Sequence, residues 1–188
     1  MSLNIIVCAK QVMDPETPMS AFNVDEAAKR VVPAQGIPPV VNGFCENAVE
    51  AALKVKEAVG EATITVISVG NDFVMDVMKK PLSMGADQMI LVQDPATENL
   101  DALGTATVLS KAIEKIGQAD IVICGQQASD WDNAHVPMGI SEMLGMACLS
   151  EARSIDIGEG TVTVASSRSD GYEVFEAATP CLITVNNE

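Results

Sequence analysis

Short apolar runs rich in β-branched residues alternate along this chain with segments of helical hydrophobic periodicity. The runs cover residues 4–9, 63–69, 88–92 and 121–124. Runs of this length are typical of strands buried on both faces of a parallel sheet. Between them, apolar residues such as Ala48, Ala52 and Val55 recur at helical spacing. The alternation predicts an α/β fold: a doubly wound, mostly parallel, Rossmann-like sheet between two layers of helices.

The pattern changes after Ser150, where apolar and polar residues begin to alternate. Turn signals at Gly158-Glu159-Gly160 and Asp170-Gly171 separate the alternating segments. We therefore expect antiparallel hairpin strands along one sheet edge, with residues 182–185 as the last of them. The prediction is one nucleotide-binding domain over residues 1–188, with a parallel core at 1–150 and an antiparallel extension at 151–188.

Three local features qualify this pattern. Residues 13–39 contain five prolines and should form a long excursion, with a short helix or strand within 24–32. Pro81 should kink or shorten a helix over residues 72–84, because proline lacks the backbone N–H. Asn42 stands where the first helix should begin, and asparagine is a favoured N-cap.

Charge and composition narrow the possible functions. The chain of 188 residues has a formal net charge of −15, which disfavours nucleic-acid binding. No apolar run is long enough to span a bilayer, and no signal-peptide pattern precedes the first strand. The five cysteines are odd in number and show no C-x-x-C spacing. We therefore expect a reduced, cytoplasmic protein without a membrane span.

Polar segments follow the first and fourth predicted strands and open the first helix. Ligands of open α/β sheets bind beyond the carboxyl ends of the strands, so these segments are the candidate site. Residues 125–136 are the most informative of them, because their strand-to-helix connection is long and rich in small and amide-bearing residues. Such a loop can direct several backbone N–H groups at a phosphate, at the positive end of the next helix.

Other interpretations of these residues stay open at this point. The loop could be a solvated connection, Asn42 could be a simple N-cap, and His135 could be a base, a ligand or a cap. Ser129, Asp130 and His135 have the residue types of a hydrolytic triad, but the chain has no G-x-S-x-G segment. It also lacks G-x-G-x-x-G and P-loop signatures, which disfavours dinucleotide-binding Rossmann enzymes and P-loop NTPases.

Four segments occur in the order of a known family. They are residues 4–12 (N-I-I-V-C-A-K-Q-V), 42–53 (N-G-F-C-E-N-A-V-E-A-A-L), 83–87 (S-M-G-A-D) and 125–136 (G-Q-Q-A-S-D-W-D-N-A-H-V). Together they resemble the β-subunits of electron transfer flavoproteins across nearly the whole chain. The resemblance implies an electron-carrier subunit without catalytic residues or a metal site of its own.

The resemblance also implies cofactors and a partner. The domain would bind AMP, or FAD as in electron-bifurcating relatives. An α-subunit would complete a heterodimer and hold most of a shared redox FAD, which accepts electrons from dehydrogenases. The family's nucleotide contacts fall here on Cys8, Ala9, Asn42, Gly43, Phe44, Cys45, Val69, Gly125, Gln126, Gln127, Ala128, Ser129, Asp130, Asp132, Asn133, Ala134, His135 and Val136.

The chain departs from the family pattern at several positions. Gly43 replaces a proline, Gln126 a basic residue, His135 a glutamine and Pro137 a glycine. Family members also continue past the position of Glu188, with a loop that docks dehydrogenases and a basic segment that embraces the α-subunit. Dehydrogenase docking is therefore left open. The alternatives are a stand-alone adenine-nucleotide-binding module of the universal-stress-protein type and a small hydrolase using Ser129 and His135.

Overall fold

The computed structural model describes residues 2–27 and 29–186, which form strands β1–β12 and α-helices α1–α5. The strands are β1 (Leu3–Cys8), β2 (Gln11–Val12), β3 (Asn23–Asp25), β4 (Arg30–Val32), β5 (Val40–Val41), β6 (Ala62–Gly70), β7 (Gln88–Gln93), β8 (Ile121–Gly125), β9 (Ala147–Ile157), β10 (Thr161–Arg168), β11 (Gly171–Ala178) and β12 (Cys181–Val185). The helices are α1 (Gly43–Val59), α2 (Met75–Met78), α3 (Lys80–Met84), α4 (Ala102–Ile116) and α5 (His135–Leu144).

An eight-stranded sheet runs through the middle of the molecule in the order β11-β10-β9-β12-β8-β1-β6-β7. The pairs β12/β8, β8/β1, β1/β6 and β6/β7 are parallel, whereas β9, β10 and β11 pair antiparallel. After β1 the chain builds outward through β6 and β7, and then crosses to the other side of β1 to form β8. The predicted fold class is confirmed, and the topological switch lies between β1 and β8.

Helices cover both faces of this sheet and give it two apolar cores. Cys45, Ala48, Val49 and other α1 residues pack against the first face, together with Met78 from the segment after β6. The second face packs against Leu109 and Ile113 of α4 and Ile140 of α5. Strands β8 and β12 are buried at every residue. Continuous apolar runs such as I-V-I-C-G therefore lie between the two helical layers.

The last strand differs from the expectation for the tail. Residues 182–185 were expected in an antiparallel hairpin, but β12 pairs parallel to both β8 and β9 inside the sheet. The hairpin expectation for this segment is therefore wrong. All five residues of C-L-I-T-V are buried, and such a run belongs between two helical layers rather than on a half-exposed edge.

The proline-rich excursion is closed at its base by a two-residue antiparallel pair. Gln11 lies opposite Val41 and Val12 opposite Val40, which joins β2 to β5. Between them β3 pairs antiparallel with β4, so the open choice within residues 24–32 is resolved as strand over the parts that β3 and β4 cover, with Ala28 outside the described residues. The pair brings Asn42 beside the end of β1, where its N–H donates to the carbonyl of Lys10 at 2.9 Å.

The local prediction for Pro81 agrees with the structure. The helix expected over residues 72–84 is broken into α2 and α3 at Lys79, with Pro81 in the first turn of α3. The five cysteines are free, and Cys148 alone among them is not fully buried. In the part of the chain that the structure describes, no helix combines the length and the apolar character needed to cross a membrane.

The central position of β12 makes a testable difference between two leucines. Leu182 is fully buried in β12, whereas Leu103 on α4 is 65% exposed. Leu182→Ala should lower the free energy of unfolding by about 2–5 kcal/mol, because it leaves a cavity between sheet and helices. Leu103→Ala should change it by less than about 0.5 kcal/mol. Urea denaturation of both variants measures the contrast, and equal losses would contradict the placement of β12.

Candidate functional site

The two predicted site segments meet at the carboxyl edge of the sheet. Strand β8 ends at Gly125, and α1 begins at Gly43. A Cβ atom added to Gly125 would lie 2.7 Å from the Cβ and the carbonyl carbon of Phe44 and 2.9 Å from its carbonyl oxygen. Only a glycine lets the end of β8 approach the first turn of α1 this closely.

The side chain of Asn42 joins these two segments. It is 1% exposed, and its Nδ2 donates to the carbonyl of Gln127 at 2.9 Å and to Cys45 Sγ at 3.2 Å. Its Oδ1 accepts from the N–H of Ser129 at 3.1 Å. Asn42 occupies the N-cap position of α1, yet its side chain makes no cap hydrogen bond. The simple N-cap interpretation is therefore wrong: the amide holds the loop after β8 instead.

The loop of residues 126–134 is folded into a compact turn. The N–H groups of Trp131 and Asp132 donate to the carbonyl of Ala128 at 3.2 and 2.8 Å. Gln127 Nε2 donates to Asp132 Oδ1 at 2.8 Å. Asp132 and Ala134 both have left-handed backbone, with φ of 52° and 55°. Two such non-glycine residues close together indicate a backbone shaped by its surroundings, a feature that is frequent at binding sites.

Helix α5 begins directly after this turn, at His135. Its N-cap residue is Ala134, and no side chain caps the helix. The N–H groups of its first turn therefore carry the positive end of the helix dipole toward the loop. The structure therefore places the start of a helix directly after the loop, as expected from the sequence.

Lys10 joins the loop from the end of β1. Its Nζ lies 2.8 and 2.7 Å from the two carboxylate oxygens of Asp130. Lys10 directly follows Ala9, the last candidate residue at this strand end, and lies outside the candidate set. Lys10 is the second residue after β1, where a side chain can reach the loop that follows the neighbouring strand β8.

The other candidate residues lie at different places around this edge. Ala9 continues the pairing of β1 with β6 through a 2.9 Å bond to the carbonyl of Ile67, and Val69 lies further along β6. Gln126 turns away, since its Nε2 donates to Glu151 on β9 at 3.1 Å. Asn133 and His135 are exposed, and Val136 packs partly buried against the α4/α5 core.

The triad-type residues do not form a catalytic arrangement. The Asp130 carboxylate engages Lys10, and the backbone of Ser129 is held by Asn42. The structure records no hydrogen bond from His135 to either residue in the described chain. In a hydrolytic triad, hydrogen bonds connect the nucleophile to the base and the base to an orienting acid. The hydrolase interpretation therefore gains no support.

The thiols near the site are unreactive by their surroundings. Burial raises the pKa of Cys45 to about 11, and a hydrogen bond with Cys8 together with burial raises the pKa of Cys124 well above its usual range. Both thiols are therefore neutral near pH 7 and serve as apolar walls. Among residues 2–27 and 29–186, no group of His, Cys, Asp and Glu could hold a metal ion.

Comparison with known protein families identifies the family of this chain. The profile of the family described as "Electron transfer flavoprotein domain" matches residues 29–188. The chain belongs to the electron transfer flavoprotein family. It is 39% identical over 188 residues to the electron transfer flavoprotein subunit beta of Megasphaera elsdenii, covering 97% of this chain and 68% of that protein.

Two further relatives extend the comparison. The electron transfer flavoprotein subunit beta of Thermoanaerobacterium thermosaccharolyticum is 38% identical, over 99% of this chain and 69% of its own length. The caffeyl-CoA reductase-Etf complex subunit CarD of Acetobacterium woodii is 33% identical over the same shares. The resemblance found in the sequence is thereby confirmed. This family member is a β-subunit-like electron-transfer protein.

Replacing Asn42 tests whether it clamps the loop. Asn42→Ala removes the partners of the Gln127 carbonyl and the Ser129 N–H, and we expect a loss of about 2–3 kcal/mol in the free energy of unfolding. Asp101→Ala is the matched control, because Asp101 caps α4 by accepting from the N–H of Gly104 at 2.7 Å. That control substitution should lower the free energy of unfolding by about 1 kcal/mol. Amide hydrogen exchange in residues 126–134 should accelerate in Asn42→Ala alone, and unchanged exchange there would contradict the clamp.

A pair of glycines tests the close approach of β8 and α1. Gly125→Ala should destabilise the protein by about 1–3 kcal/mol, because its Cβ would overlap the Phe44 backbone. Gly43→Ala meets no atom within 4 Å and lies at the first residue of α1. It should be neutral or stabilising by up to about 1 kcal/mol. Thermal unfolding measures the stability of both variants. An unchanged stability of Gly125→Ala would show that β8 and the first turn of α1 can move apart.

Proposed function

We propose that this chain binds an adenine nucleotide, AMP or FAD, in the cleft beyond β1, α1 and β8. We propose further that it pairs with an α-subunit holding most of the redox FAD, and shuttles electrons from dehydrogenases. The observation that carries the proposal is the Asn42 clamp. It fixes the loop of residues 126–134 against α1 at the topological switch point, where open α/β sheets bind ligands.

The site chemistry fits a phosphate-bearing ligand. The uncapped start of α5 and the turned loop supply backbone N–H groups and a dipole end that favour an anion. Lys10 supplies a cation at the same edge. Glycine at position 125 keeps the backbone close to α1, and the neutral Cys45 thiol adds an apolar wall. These groups favour a ligand with an anionic end and an apolar body, which describes an adenylate.

The protein side chains support a binding role and not a chemical one. The site offers no activated nucleophile, and the Cys45 and Cys124 thiols are held neutral by burial. In the proposed complex the flavin supplies the redox chemistry, and this chain binds the nucleotide and presents it to the partner subunit. Five free cysteines suit a reducing compartment, and we place the protein in the cytoplasm.

An open groove elsewhere is a weaker candidate for the nucleotide. It measures about 700 Å³ and lies between β7 and α4, with walls formed by Ile90, Val92, Val108 and Ile116. Lys111 and Lys115 stand on its rim, but the residues that line it include none of the loop or of α1. It lies away from the backbone amides of the loop and from the close approach of Gly125 to α1, which are the features that favour the cleft.

Ligand-induced stabilisation tests the proposal. AMP at about 100 times its dissociation constant should add about 2.7 kcal/mol to the free energy of unfolding, and so raise the melting temperature by roughly 5–10 °C. Guanosine monophosphate at the same concentration should do less. Differential scanning fluorimetry measures both. Absence of any shift with AMP, ADP and FAD would overturn nucleotide binding at this site.

Co-expression with an α-subunit from the same host tests the partner. We expect a heterodimer in native mass spectrometry, with flavin absorbance appearing in the complex and not in this chain alone. A chain that stays monomeric and colourless beside a folded α-subunit would contradict the pairing. If it still bound AMP, it would instead be a stand-alone nucleotide-binding module.

A further inference from the structure

An ion pair at the carboxyl edge of the sheet joins residues far apart in sequence. Lys10 Nζ lies within 2.8 Å of both Asp130 carboxylate oxygens, although the residues are separated by 120 positions. Lys10 is anchored at its backbone, where its carbonyl accepts from the N–H of Asn42 at 2.9 Å. Asp130 lies within the loop that Asn42 clamps. The pair therefore belongs to the same assembly as the clamp, while its charged ends remain at the surface.

The exposure of the pair makes it exchangeable. The Lys10 and Asp130 side chains are 43% and 26% exposed. Ion pairs of this kind contribute little to stability, since water competes for both charges. A phosphate has more negative charge and more acceptor oxygens than a carboxylate, so it can displace Asp130 from Lys10 at small cost.

Lys10 also supplies a charge that the loop itself lacks. The loop carries the carboxylates Asp130 and Asp132, and Gln126 stands where the family pattern has a basic residue. The Gln126 amide is already engaged by Glu151. In the described chain, Lys10 is the cation that hydrogen-bonds to this loop. An anionic ligand would otherwise meet two carboxylates on a protein of net charge −15.

We propose that Lys10 recognises the phosphate of the nucleotide and that Asp130 is its internal competitor, which holds the ammonium group until a phosphate replaces it. The inference rests on the proposed function, since it assigns roles within the same cleft. It makes Lys10 the residue that selects a phosphorylated ligand over its nucleoside. It makes Asp130 a residue that weakens binding, because its carboxylate both occupies Lys10 and repels the phosphate.

The two roles predict effects of opposite sign. Lys10→Met should lower the affinity for AMP by about tenfold, because a charge-assisted contact is lost. Asp130→Asn should raise it by about threefold to tenfold, because the competing anion is removed. Neither substitution should change the affinity for adenosine by more than about twofold, since adenosine lacks the phosphate. In the double variant the gain from Asp130→Asn should largely disappear, because it acts through Lys10. Isothermal titration calorimetry with AMP and adenosine measures all eight values for the four proteins.

Matched variants on α1 control for net charge. Lys54 pairs with Glu50 at 3.7 Å, and both side chains are exposed. Lys54→Met and Glu50→Gln therefore change the charge of the protein by the same amounts at another place. Both should leave the AMP affinity within about twofold of the parent, since both residues lie at least about 10 Å along α1 from Asn42 and exposed charges beyond a Debye length are largely screened at 0.15 M salt. Melting temperatures of all variants confirm that each is folded.

Three results would overturn the assignment. If Lys10→Met and Asp130→Asn both weakened AMP binding, the ion pair would be a structural tie of the loop. If AMP and adenosine were affected alike, Lys10 would not read the phosphate. If the parent bound AMP and Lys10→Met bound it equally well, only the role of Lys10 would fall. If the parent chain bound neither AMP nor adenosine, that result would contradict the proposed function as well as the role of Lys10.

Discussion

The buried amide of Asn42 is the contact on which the candidate site depends. It uses both N–H groups and its oxygen to tie the first turn of α1 to the loop after β8. The close approach of Gly125 to Phe44 makes that geometry possible, since any larger residue would push the strand end away from the helix. A 1% exposed polar side chain is tolerated only when its hydrogen bonds are satisfied, so the clamp and the loop conformation stabilise each other.

The electrostatic environment of this site differs from that of the rest of the molecule. A net charge of −15 repels anions in general, yet the cleft gathers an uncapped helix start, turned backbone amides and the ammonium group of Lys10. Fixed backbone dipoles do not add net charge, so an acidic protein can hold an anion without losing its acidic surface. That combination suits the anionic nucleotide proposed as the ligand of this member of the electron transfer flavoprotein family.

Most of the fold was predictable from local patterns, and the exceptions have clear causes. The runs that became β1, β6, β7 and β8 are mostly apolar, as is typical of strands between two helical layers, and Pro81 divided α2 from α3 as expected. The tail was misjudged at β12 because hairpin alternation in β9–β11 was extended to a run that is buried on every residue. Asn42 looked like a cap because position and residue type agree, whereas the loop groups that its side chain binds come from 85 and 87 residues away.

Hydrophobic periodicity, proline positions and four ordered motifs in the sequence by themselves determined the fold class, the family and the segments of the candidate site. Each of these features is a local pattern or a series of local patterns along the chain, so it can be recognised without knowing the tertiary contacts. Tertiary structure alone decided that β12 enters the sheet, that Asn42 clamps the loop and that Lys10 meets Asp130. Each of these depends on which distant residues the sheet order brings together, and sheet order arises from the packing of both apolar cores at once.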